Sequence, residues 1–145
     1  MKCVQKSKFS VKIFIPSWAN TKPTILLNDK ELKVAAKSGS YCTINREWAD
    51  NNRLIVDFEF DFRIVKMKDN ENVFAIFYGP LLLAFETGNE LILKGSTEEI
   101  LKMLKKTANE MTFTLSNNGV NYKLVPFYKI NNESYGVYAS IRNEY

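Results

Sequence analysis

The chain has 145 residues, 46% hydrophobic and 25% charged, a balance that excludes an intrinsically disordered segment. Twenty Lys and Arg against sixteen Asp and Glu leave a net charge of +4, but the cations are scattered singly, as at Lys2, Lys6, Lys8 and Lys12, which argues against a nucleic-acid partner. Histidine is absent, so Ser-His-Asp and Cys-His catalysis and the commonest zinc ligand are excluded.

Cys3 and Cys42 form neither a disulfide framework nor a metal-ligand spacing and read as free thiols. The opening MKCVQKSKFS has no apolar signal-peptide core. The longest apolar run, FAIFYGPLLLAF at 74–85, contains Gly-Pro and falls short of the roughly 20 residues of a membrane helix. The expectation is a soluble domain with no membrane partner.

In chain order, Phe9–Ile15 reads as a strand with Phe9, Val11, Ile13 and Ile15 on one face, stopped by Pro16. Pro23–Leu27 reads as a short strand, Asn28-Asp29-Lys30 as a turn, and Leu32–Ala35 as a returning partner. Tyr41–Ile44 follows Gly39 as another strand. The clearest alternation runs from Arg53 to Val65, with Leu54, Val56, Phe58, Phe60, Phe62 and Ile64 on one face.

Asn70-Glu71-Asn72 turns the chain into FAIFYGPLLLAF, which is apolar at odd and even positions alike. Such a strand needs cover on both faces. Glu90–Lys94 is a further strand. Ser96-Thr97-Glu98-Glu99 is a capping box, and Ile100, Leu101, Leu104 and Ala108 follow at helical spacing, which predicts one helix over 97–108. Met111–Leu115 and Val120–Val125 flank Asn117-Asn118-Gly119, a hairpin signal, and Tyr135–Ile141 closes the chain as a strand. Many short strands with one helix predict a mainly β fold, an antiparallel, jelly-roll-like β-sandwich, as a single domain over 1–145 with any subdivision near residue 95.

Two constellations invite chemistry. Asp57, Glu59 and Asp61 alternate along one strand at spacings of about 6.5–7 Å, compatible with a glycosidase carboxylate pair or with calcium. The simpler reading is the solvated face of an amphipathic strand, which also deters edge pairing. Trp18, Tyr41 and Trp48 offer aromatic faces for a sugar ring; the simpler reading for the two Trp is core or corner packing with the indole N–H bonded to backbone. The Asn132-Glu133-Ser134 sequon matters only in a glycosylating host.

Four segments, VKIFIPSWAN, GSYCTINREWADNNRLIVDFEFDFRIV, NVFAIFYGPLLLAFE and LVPFYKINNESYGVYASI, resemble the region after the catalytic barrel in glycoside hydrolase family 127, the β-L-arabinofuranosidase-like family. Ile15, Pro16, Trp18, Gly39, Tyr41, Ile44, Arg46, Trp48, Tyr78, Gly79, Pro80, Leu81 and Ala84 match its motifs in order, over roughly 8–142. Phe14 stands where the family pattern has Arg, and Asn51-Asn52 replace a Gly-Asp turn. The resemblance implies a parent protein with an (α/α)6 barrel, a zinc held by cysteines and a glutamate, and a cysteine nucleophile. None of these positions falls in this chain. What it implies here is a non-catalytic accessory sandwich without cofactor or metal. Its partners would be the parent's helical barrel and a second copy in a homodimer, in a bacterial cytoplasm or periplasm. The alternative is a carbohydrate-binding module in which Trp18, Tyr41 and Trp48 hold a plant-type oligosaccharide.

Overall fold

A computed structural model describes residues 5–19 and 21–142. Cys3 lies outside them. The chain is mainly β, with thirteen strands and one α-helix among the described residues, and it forms two compact units, Met1–Phe60 and Asp61–Tyr145.

The first unit is a small sandwich of two antiparallel sheets. Strands β1 (Ser7–Ile15) and β4 (Ser40–Trp48) pair along their full length, Ser7 opposite Trp48 and Ile15 opposite Ser40. The second sheet has the order β3 (Lys30–Glu31), β2 (Thr24–Leu27), β5 (Leu54–Asp57). Asn28 and Asp29, at φ 49° and 64°, make the tight turn from β2 to β3, so the returning strand starts at Lys30, earlier than the expected Leu32–Ala35. Both sheets contribute to one core, with Ile15, Cys42, Ile44 and Trp48 from the first and Ile25 and Leu27 from the second.

In the second unit, β7 (Val73–Tyr78) organises the sheet. One edge pairs along its whole length with β6 (Phe62–Lys66). The other edge is shared: Phe77 and Tyr78 pair with β8 (Leu81–Phe85), while Val73 and Phe74 pair with β13 (Ala139–Ile141). Beyond β8 lie β12 (Val120–Pro126), β11 (Phe113–Asn117) and β10 (Leu104–Lys106), and beyond β13 lies β9 (Leu91–Leu93), in parallel. The β7–β8 hairpin therefore joins two wings over one core, with Phe74, Ile76 and Leu93 from one wing and Leu83, Phe85, Phe113 and Leu124 from the other.

Helix α1 (Thr97–Met103) adds Ile100 to that core. Its capping box forms as read, with the Ser96 hydroxyl accepting from the Glu99 N–H and the Glu99 carboxylate accepting from the Ser96 N–H. The helix stops at Met103, short of the expected residue 108, because Leu104 turns extended and enters β10 beside Leu115. The expected strand Tyr135–Ile141 likewise narrows to β13.

The Arg53–Val65 alternation divides. Its first half forms β5 and pairs with β2, its second forms β6 and pairs with β7, and the boundary between the units falls at Phe60–Asp61, not near residue 95. One uninterrupted pattern thus feeds two cores: Leu54, Val56 and Phe58 pack in the first, Phe62 and Ile64 in the second. FAIFYGPLLLAF is buried on its core face and partly on the other, where Phe77 and Leu82 are half-buried. Phe74, Ile76, Leu83 and Phe85 fill the core, and Ala75 and Ala84, on the opposite faces, are buried as well.

Asn117 is the buried polar residue of this second core. Its side-chain carbonyl accepts from the Lys94 N–H at 2.9 Å and its amide donates to the Lys94 carbonyl at 2.8 Å, pinning the segment between β9 and α1. Asn117→Ala leaves both Lys94 backbone groups without that partner and should cost about 2–3 kcal/mol. A lower urea midpoint at unchanged m-value checks it.

Candidate functional site

The three aromatic residues singled out in the sequence are not brought together. Tyr41 and Trp48 lie seven positions apart on β4, so their side chains point to opposite faces of the strand. Trp48 is 1% exposed; its indole N–H donates to the Phe9 carbonyl at 3.0 Å and its ring stacks on Phe9 at 5.6 Å. A ring so enclosed presents no face to a sugar. Trp18 is half-buried, edge-on to Phe58 and Phe60 at 5.6 and 5.3 Å. Tyr41 alone is open, 66% exposed and tilted against Phe14 at 5.2 Å, where the family pattern has Arg.

Asp57 ends β5 and Asp61 begins the second unit; all three carboxylates, Glu59 included, are exposed. Among the described residues no three Cys, Asp or Glu side chains gather closely enough to hold a metal ion.

An aromatic surface that alternation could not reveal lies after β12. Pro126 ends that strand, and Phe127–Lys129 makes a 3-10 turn closed by the Ile130 N–H on the Phe127 carbonyl at 3.1 Å. The segment returns to the sheet at Gly136, which exchanges two backbone hydrogen bonds with Phe85 at 2.8 and 3.0 Å. Along this segment and just past it Phe127, Tyr128, Tyr135 and Tyr138 stand 44–65% exposed, with Phe127 and Tyr135 in contact at 5.4 Å. The sequence signal was available in PFY and SYGVY, but their aromatic density reads equally well as core.

Glu133 holds the middle of this segment. Its carboxylate accepts from the Asn131 N–H at 2.9 Å, and this backbone bond keeps its pKa below the ordinary glutamate value. The Asn132-Glu133-Ser134 sequon lies in this exposed turn.

The fold is thus mainly β, in two compact units. Residues 1–60 match the family model described as "Beta-L-arabinofuranosidase, GH127 middle domain". The likeness to the GH127 family read from the motifs is borne out, with the middle domain as the matched part. No curated protein matches the chain. Among solved structures, a GH127 beta-L-arabinofuranosidase from Geobacillus stearothermophilus is similar over 97% of this chain at TM-score 0.67 and 14% identity. A second GH127 beta-arabinofuranosidase is similar over 97% at 0.66 and 19%, and a glycoside hydrolase over 94% at 0.64 and 16%. The chain spans only 28–29% of the length of these structures. No helix among the described residues is long and apolar enough to cross a membrane.

Two outcomes follow from this geometry. Trp48→Ala should destabilise the first unit by about 3–5 kcal/mol, whereas Tyr41→Ser should stay within about 0.5 kcal/mol of the parent, as read by chemical denaturation. Because the folded pKa of Glu133 is depressed, its contribution is present above the unfolded glutamate value of about 4.3. That contribution is lost as pH falls through the folded value. The Asn131 amide resonance should therefore move with the Glu133 carboxyl in an acid titration, and Glu133→Gln should abolish the coupling.

Proposed function

We propose that this chain is a non-catalytic sandwich portion of a β-L-arabinofuranosidase-like glycoside hydrolase, supporting a catalytic helical barrel carried elsewhere in the protein. One observation carries the reading. Nearly the whole chain aligns in fold with glycoside hydrolases of which it accounts for under a third, so most of the length of such a protein lies outside it.

The exposed aromatics of 127–138 suit this role. Phe127, Tyr128, Tyr135 and Tyr138 place large apolar area in water at the edge of a folded unit, the mark of a surface that another body covers. Tyr hydroxyls at its rim tolerate both the wet and the docked state. The exposed carboxylates of Asp57, Glu59 and Asp61 act as solvated charge.

The isolated chain should release no product from aryl β-L-arabinofuranosides; turnover lost in Asp57→Asn or Asp61→Asn would assign it catalysis and end this reading. The paired variant Tyr128→Ser, Tyr138→Ser should fold with stability changed by no more than about 1 kcal/mol. It should also bind an apolar fluorescent dye much less than the parent chain. Equal dye binding would remove the docking surface from these residues.

A further inference from the structure

The Asn117 clamp also reaches the surface. Asn117 is 4% exposed, and its side-chain nitrogen carries two hydrogens. That nitrogen donates to the Lys94 carbonyl at 2.8 Å and lies 3.7 Å from the sulfur of Met103, a weak acceptor. Met103 is the last residue of α1 and stands 37% exposed. A polarizable thioether open to water on one side therefore touches a buried, fully committed amide on the other. Met67 provides a matched contrast. It is equally exposed, at 37%, but no hydrogen bond reaches its sulfur from the described residues. Met111 is half-buried against the second core.

We propose that Met103 is a reversible oxidation site whose state is read by the buried Asn117 clamp. A hydroperoxide supplies the oxygen. The sulfur lone pair attacks one peroxide oxygen, the O–O bond breaks, and the departing oxygen takes up the proton and leaves as water or an alcohol. Sulfur loses two electrons and the peroxide gains them. Methionine sulfoxide reductases return the product to the thioether. The sulfoxide oxygen is a stronger acceptor than the thioether sulfur, and the three rotatable bonds of Met let the tip swing outward so that this oxygen faces the Asn117 NH2. The amide is then held by the Lys94 carbonyl and by the sulfoxide together. The tightening passes to Lys94, whose N–H donates to the Asn117 carbonyl at 2.9 Å, and so to Gly95 and the Ser96 cap at the entrance to α1. The half-open position decides this. A buried thioether admits the oxygen only by unpacking a core, and a fully exposed one has no buried group to inform. This site is independent of the accessory role and uses none of the aromatic residues assigned to it.

The test is oxidation of the chain with hydrogen peroxide, with sulfoxides located by peptide mass and the Asn117 NH2 and Lys94 amide followed by NMR. Met103 and Met67 should each gain one oxygen ahead of Met111. The Asn117 NH2 resonances should move downfield in step with Met103, and the Lys94 amide should exchange about fivefold more slowly, the worth of one net hydrogen bond. Met67→Leu should preserve both changes, and Met103→Leu, close in volume, should abolish them. A methionine sulfoxide reductase should restore the starting spectrum. The proposal is overturned if Met103 stays reduced after Met67 has converted, or if the Asn117 NH2 does not move once Met103 is oxidised. The same shift in Met103→Leu, or faster Lys94 exchange in the oxidised chain, would overturn it equally.

Discussion

The backbone of β7 is the constraint on which the second unit depends. Every strand has two edges to satisfy, and β7 gives one wholly to β6 while dividing the other between β8 at its end and β13 at its start. Gly79, at φ 55°, opens the two-residue turn, and the hairpin then splays enough for β13 to enter beside Val73 and Phe74. The two wings diverge from that fork, and the space between them is the core. Residues on the inner face of β7 and β8 must therefore be apolar, as Phe74, Ile76, Leu83 and Phe85 are.

Local signals in the sequence translated directly. The capping box at Ser96, the hairpin at Asn118-Gly119 with φ of 49° and 76°, and the alternation of β1 all depend on neighbours within a few residues. The errors arose where a partner far along the chain decides. Nothing between Arg53 and Val65 says that pairing passes from β2 to β7 halfway, because the period of side-chain alternation is the same on either partner. Leu104 has helical spacing, yet its place opposite Leu115 in β10 outweighs one more helical turn. The parallel pairing of β9 with β13 joins Leu91 to Ala139 and leaves no local trace.

The functional reading divides in the same way. Motif order pointed to the GH127 likeness although each motif is short, because order and spacing carry information that single residues do not. The sugar platform failed on parity: seven residues along a strand place Tyr41 and Trp48 on opposite faces, and the buried one needed its indole N–H for Phe9.

The unequal edging of the two units has a consequence for how the chain breathes. In the first unit, among the described residues, β1 and β4 pair only with each other, so each nine-residue strand turns one row of amides away from its ladder. In the second, β7 lies inside its sheet, with partners along both sides. Transient opening is therefore easiest at the outer margins of β1 and β4 and rarest along Val73–Tyr78. The protein carries a gradient of solvent exchange along its length, with its slowest amides in the strand that holds the fork.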